Sequence, residues 1–385
     1  MKIFIAATII FILCLILDVI YDQQLWDVNT RITKYMQKQQ TPGLQSMFNF
    51  FSNWINIFPG IALLMFIFTE NKLASIIYMC LIQFTISFNS ILKNVYHQPR
   101  PYWIESDIVA LSCNKEFGKP SGHAMGSLMM SFLLPLMVLP NTFYKKPKLI
   151  KSIIICFASI WTFMTALSRI YLGMHSIGQI LLGWIYSSYF ILIYLFYMHQ
   201  PIMEYFKNRL SSIDRSLSWK LVLIVGLSTV IWLSISLLFC FLNEKNIYLD
   251  QTKLTQWLNT IYTKCPDQTE ILQINSSQVF QNYCLNKSFE ITFIFFIIFG
   301  IKLSNGKYKE EEFILNYLQL NWKQKCFRFL LLIIPLSTVK FLDFINSDNV
   351  WVMIFGYKDY TLECVLWINP YFWIFKIIKI FQFKY

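Results

Sequence analysis

Charge is in short supply in this chain. Only 14% of its 385 residues are charged, against roughly a quarter in soluble domains, which excludes an ordinary soluble fold. Carboxylates are scarcer still, 21 against 33 Lys and Arg, yet the surplus of +12 does not mark a nucleic-acid binder. The cations form no stripe; they fall in short clusters between apolar runs, as in the cytoplasmic loops of membrane proteins. The nine cysteines contain no Cys-x-x-Cys pair or metal-ligand spacing, and no acidic cluster stands ready for a divalent ion. Neither a metal nor any other cofactor is therefore expected. There is also no internal repeat, low-complexity tract or appended soluble domain.

What the chain has instead is apolar length: 56% of it is hydrophobic. Spans of the length a bilayer core requires are expected near Ile3–Tyr21, Phe50–Thr69, Leu73–Leu92, Met125–Leu139, Leu149–Leu167, Ile177–Met198, Leu221–Leu242, Phe289–Leu303, Phe327–Phe344 and Thr361–Ile380. Continuous runs of this kind satisfy their backbone in lipid only as helices. The expected fold is all-α, a polytopic transmembrane bundle of about nine to ten helices. Residues 1–21 read as a signal anchor or extra transmembrane helix, 22–49 as a polar surface segment, and 50–385 as a membrane domain with its core near 73–200.

Orientation follows from the short loops. Lys145, Lys146 and Lys148, then Lys207, Arg209 and Arg215, then Lys302, Lys307 and Lys309 all fall on one side, which the positive-inside rule makes cytoplasmic. The opposite side holds residues 93–124, 168–176 and 243–287. The last of these loops carries two candidate glycosylation sites, Asn275 and Asn286. It also holds Cys265 and Cys284, which can pair if the loop faces an oxidising lumen.

Polar residues gather where four apolar runs begin or end. Lys93 and Arg100 leave one span, Ser121, Gly122 and His123 enter the next, Arg169 leaves the one after, and His175 opens another. Helix parity places all of them on one membrane face. Three cations suit a phosphate dianion, and Arg100 and Arg169 can each present two parallel donors. Ser121 and the Gly122 amide precede a helix and can cap it or donate to phosphoryl oxygens. Two imidazoles allow nucleophile and proton donor to be separate groups.

The pattern Lys-x6-Arg-Pro, Pro-Ser-Gly-His, Ser-Arg-x5-His resembles the three-part signature of the type-2 phosphatidic acid phosphatase superfamily. The resemblance implies a helical core, no metal, in-line phosphoryl transfer to His175 and protonation of the leaving oxygen by His123. Lys93, Arg100, Ser121, Gly122 and Arg169 would hold the phosphate. Gln98-Pro-Arg-Pro-Tyr-Trp103, Pro120-Ser-Gly-His-Ala-Met-Gly126 and Ser168-Arg-Ile-Tyr-Leu172 are similar to the glucose-6-phosphatase branch. Gln179 stands one turn after His175, where lipid phosphatases usually have Asp and glucose-6-phosphatases have Gln. It can accept from the imidazole and fix its tautomer. Trp103 is a candidate substrate contact. This resemblance implies glucose 6-phosphate as substrate, an endoplasmic-reticulum membrane with the site facing the lumen, and a sugar-phosphate transporter as candidate partner. His175-Ser-Ile also resembles the sphingosine-phosphate phosphatases, so a lipid phosphate (sphingosine 1-phosphate or phosphatidate) stays open, and a non-catalytic membrane protein is the third reading.

Overall fold

Length and side-chain pattern set the first helix apart. In the computed structural model, which describes residues 2–53, 72–114, 116–138, 147–210, 217–244, 250–265 and 287–303, α1 runs unbroken from Lys2–Lys38. At 1.5 Å per residue that is about 55 Å, well beyond a hydrocarbon core of about 30 Å. Its first half turns Ile5, Ile9, Ile12 and Ile16 outward, each about half exposed, as a lipid-facing helix does. Residues 22–38, expected as a surface segment, continue this helix without a break.

Among the described residues the other helices are α2 (Pro42–Asn53), α3 (Lys72–Tyr96), α4 (Pro101–Ile104), α5 (Gly122–Leu133), α6 (Pro147–Tyr171), α7 (Ile177–Ile193), α8 (His199–Leu210), α9 (Trp219–Glu244), α10 (Gln251–Lys264) and α11 (Thr292–Leu303). No strand occurs among them. Among the described residues, five stretches are long and apolar enough to cross a membrane: α1, α3 with α4, α6, α7 with α8, and α9; α5 is apolar but shorter. The molecule is a multi-pass, all-α membrane protein. The expected span at Phe50–Thr69 lies largely outside the described residues; those at Phe327–Phe344 and Thr361–Ile380 lie wholly outside them, as do Asn275, Cys284 and Asn286.

Helix α5 sits at the centre, packed on α3, α6 and α7. It passes into a π turn over Leu134–Val138 at Pro135, whose missing N–H breaks the regular ladder. In lipid the hydrophobic effect does little to hold helices together, so close packing and interhelical hydrogen bonds take over. Here Tyr78 donates to the Met130 carbonyl at 3.0 Å, Ser187 to the Met125 carbonyl at 2.7 Å, and the hydroxyls of Ser131 and Thr162 lie 3.1 Å apart. Each ties α5 to a different neighbour. An apolar cluster around Tyr78, Ile82, Met129 and Leu133 fills the middle of the bundle. A second, around Tyr102, Trp103, Phe117, Tyr171 and Leu258, closes the end from which the site opens.

α10 docks on α4, with Trp103 and Trp257 6.1 Å apart and Lys264 donating to the Glu105 and Ile108 carbonyls at 2.6 and 2.8 Å. This docking decides a cysteine pairing that the sequence left open. Cys265 ends α10 beside Cys113 and pairs with it across a Cα separation of 6.2 Å, not with Cys284. Sequence spacing does not determine connectivity; the packing of α10 against the loop after α4 does.

Candidate active site

The site is assembled from the ends of four elements. Asn89 and Lys93 stand one turn apart near the end of α3, and Asn89 donates to the Pro120 carbonyl at 3.2 Å, holding the loop that leads into α5. A side chain at Gly122 would come within 2.8 Å of the Asn89 amide oxygen, so any larger residue would push Asn89 aside. Ser121 caps α5, its hydroxyl accepting from the Ala124 amide at 3.4 Å, while its own amide donates to the Gln179 carbonyl at 2.9 Å. His123 is half-buried at the first turn of α5 and makes no side-chain hydrogen bond among the described residues.

Arg100 precedes α4 in an extended conformation, with Pro101 starting the helix. Its guanidinium is buried: Nε donates to the Glu116 carbonyl at 2.7 Å, and Nη1 lies 3.1 Å from the Met174 carbonyl and 3.0 Å from Nε2 of His175. An arginine only donates, so Nε2 of His175 must accept and the ring proton must sit on Nδ1. Both neighbours of Nδ1 agree, being oxygens: the Gly118 carbonyl at 2.9 Å and Oε1 of Gln179 at 3.2 Å. Burial, reinforced by the charges of Arg100, Arg169 and Lys93, holds the His175 imidazole well below its usual range, so the neutral ring with a bare Nε2 is the form present at neutral pH.

Arg169 ends α6 with its guanidinium buried. It donates to the Ser52 hydroxyl of α2, and its Nε has no partner among the described residues. Its carbonyl accepts from the amides of Met174 and His175, folding the loop so that the imidazole is carried back over the helix end. Ser176 and Gln179 then form a capping box that opens α7, with reciprocal bonds of 3.2 Å.

Lys93, Arg100, Ser121, Arg169, His175 and Gln179 thus lie in one buried, hydrogen-bonded cluster, and Gly122 and His123 open the helix that Ser121 caps. Trp103 lies in the apolar cluster with Phe117 and Trp257, and is 1% exposed. Other members of the site were not read from the sequence. The buried Glu116 carboxylate pairs with both Lys93 and Lys287. Burial alone would raise its pKa, but Lys93, Lys287 and Arg100 outweigh that and hold it well below the usual carboxylate range. Four cations against one carboxylate leave a strongly positive site. Lys287 reaches it because Ser288 is pinned by Ser87 of α3 at 2.7 Å and by Ser236 of α9 at 2.7 Å. In the sequence this lysine is hidden inside the second glycosylation motif, and Glu116 is a lone carboxylate between two motifs. Neither has a spacing that marks it. Among the described residues no group of three or more His, Cys, Asp or Glu side chains is placed to hold a metal ion.

Residues 72–204, from the start of α3 into α8, match the PAP2 superfamily. Over 139 residues the chain is 26% identical to sphingosine-1-phosphate phosphatase 1 of Rattus norvegicus, covering 36% of this chain and 29% of that protein. The match thus spans less than a third of the relative's length. Among solved structures the chain resembles the first transmembrane PAP2 type phosphatidylglycerolphosphate phosphatase from Bacillus subtilis, at 20% identity and a TM-score of 0.41, over 51% of this chain and 96% of that one.

Proposed function

We propose that this protein is a metal-independent membrane phosphatase that hydrolyses a phosphate monoester through a phosphohistidine on His175. The observation that carries the reading is the forced tautomer: a bare Nε2 facing Arg100, with the Nδ1 proton held by two oxygens. In the first step Nε2 bonds to phosphorus, the ester P–O bond breaks, and the leaving oxygen takes a proton from His123. Burial and then the charge of Arg169 hold this imidazole well below its usual range, so it takes up that proton as the phosphate dianion binds and offsets the cations. In the second, water attacks the phosphorus, His123 takes its proton, and the N–P bond breaks to release phosphate and neutral His175. Lys93, Arg100 and Arg169 stabilise the charge on the equatorial oxygens. Arg100 is poised to transfer its Nη1 hydrogen bond from the ring to a phosphoryl oxygen as Nε2 is consumed.

For the substrate we put a sugar phosphate first, with glucose 6-phosphate as the representative and the lumenal face of the endoplasmic reticulum as the place of reaction. The support is Gln179 at the imidazole, a neutral partner where the lipid enzymes usually carry Asp. A lipid phosphate is the second reading, and the similarity to sphingosine-1-phosphate phosphatase 1 favours it. The deciding measurement is turnover by purified protein in detergent, with EDTA, on glucose 6-phosphate, sphingosine 1-phosphate and phosphatidate. Release of phosphate from none of them, or release only after Mg²⁺ is restored, refutes the metal-free mechanism. Turnover of the lipids alone moves the protein to the second reading.

A further inference from the structure

The hydrogen bonds behind His175 do not stop at Gln179. Oε1 of Gln179 faces Nδ1 of His175, while its Nε2 donates to Oε1 of Gln98 at 2.9 Å and to the Pro99 carbonyl at 2.8 Å. The amide of Gln98 in turn donates to Oδ2 of Asp22 at 2.7 Å. Every donor in this series points the same way, from the ring through two amides to a carboxylate. Gly118 makes room for it: a Cβ there would fall 2.6 Å from the Gln179 amide. Asp22 lies on α1, outside the residues 72–204 that match the PAP2 superfamily.

We infer that α1 supplies a remote carboxylate for the nucleophile, and that Asp22 is a positioning residue acting on His175 through Gln98 and Gln179. This rests on the reading of His175 as the nucleophile. When Nε2 bonds to phosphorus the ring becomes cationic, and its Nδ1 proton strengthens its bond to Gln179. Polarisation passes along the two amides to Asp22, and hydrogen-bonded chains of this kind reinforce one another. The charge that a directly bonded Asp would place on the ring is thus kept, at a distance and with less effect. Around Asp22 the charged neighbours are Lys119, which contacts its other oxygen at 2.7 Å, and Asp18, which shares that lysine at 2.7 Å. Around His175 they are Arg100, Arg169, Lys93 and His123.

The test is Asp22→Asn, which keeps the acceptor for Gln98 and removes only the charge. With p-nitrophenyl phosphate as probe, kcat should fall roughly three- to tenfold, as expected for one screened charge at this remove, with KM within about twofold. The acid limb of kcat should move to lower pH by roughly half a unit, since loss of an anion lowers the imidazole pKa. Both effects should vanish in a Gln179→Asp background, where a carboxylate already meets the ring. Gln98→Leu cuts the relay from the core side and should reproduce the kcat loss if Asp22→Asn fails to fold. Asp18→Asn disturbs Lys119 without touching Gln98 and should leave the pH profile in place. Wild-type kcat and pH profile in both Asp22→Asn and Gln98→Leu overturn the relay, as does an equal loss with and without Gln179→Asp. If His175→Ala itself remains active, the phosphohistidine reading falls; with that variant inactive, the Asp22 results judge the relay alone.

Discussion

Helices α1 and α5 meet the same bilayer on different terms. α5 is short and almost wholly buried, and its serines, Ser121, Ser127 and Ser131, are all satisfied within the bundle. α1 is long, and its first half offers bare isoleucines to lipid while its second half carries the polar contacts. Trp26 donates to Glu105 at 3.0 Å, Lys34 pairs with Asp107 at 2.8 Å, and Gln37 donates to the Val109 and Tyr171 carbonyls at 3.0 and 2.9 Å. The lesson is a division of labour. The core helices bring the reacting groups together, and a peripheral helix straps down the loop that completes the site. Damage to the core should therefore abolish activity, whereas damage to the strap should change its rate or stability.

The largest effect is expected at the core. His175→Ala should remove phosphoenzyme labelling and lower kcat by roughly 10⁴-fold or more. Arg100→Lys should cost about 10²- to 10³-fold, because a point charge cannot serve the Glu116 carbonyl, the Met174 carbonyl and the ring together. In the wild type, the acid limb of kcat/KM should lie below pH 6.5, the side to which burial and the neighbouring cations displace His175. Single-turnover labelling and a pH series read both.

Glu116→Gln should come next. It leaves Lys93 and Lys287 without their shared anion and should destabilise the fold by about 3–5 kcal/mol, read as a lower Tm in detergent. The sign with pH follows from the depressed carboxyl: its contribution is full above the unfolded pKa near 4.5 and is lost as pH falls towards the folded value.

Between core and strap stands the Cys113–Cys265 bridge. Cys265→Ser should cost about 2–4 kcal/mol of stability and spare much of kcat, whereas Cys284→Ser should change neither. Equal effects from both cysteines would contradict the pairing and the docking of α10 on α4. The smallest effect belongs to Lys34→Ala. Its pair with Asp107 is solvated, so Tm should not change measurably, and a clear drop would mean that the strap bears more load than its exposure suggests.

Much of the site was legible because its residues occupy helix ends at fixed spacings. Lys93, Arg100, Ser121, His123, Arg169 and His175 are polar residues at the limits of apolar runs, and parity alone put them on one face. Gln179 was legible from its place one turn beyond His175. Glu116, Lys287, Ser52, Gln98 and Asp22 were not, because each enters through tertiary contact and no local period marks it. Lys287, for instance, depends on Ser288 bonding to two other helices. The continuation of α1 through residues 22–38 was hidden for a related reason. Its stretch of Gln, Asp and Thr looks like solvated surface until the loop around Glu105–Val109 is known to lie against it.

Lys119 has a mechanical consequence beyond its charge. Its ammonium grips Asp18 and Asp22, one helical turn apart, and so works as a pin through two holes. A single bond would let α1 rotate about its axis or creep along it; two bonds a turn apart forbid both. Sliding by one turn, 5.4 Å, would put Asp18 level with Gln98 and leave the lysine one hole short. A bilayer thicker or thinner than the isoleucine-lined half of α1 must then be met by tilting the whole bundle, not by shifting one helix within it.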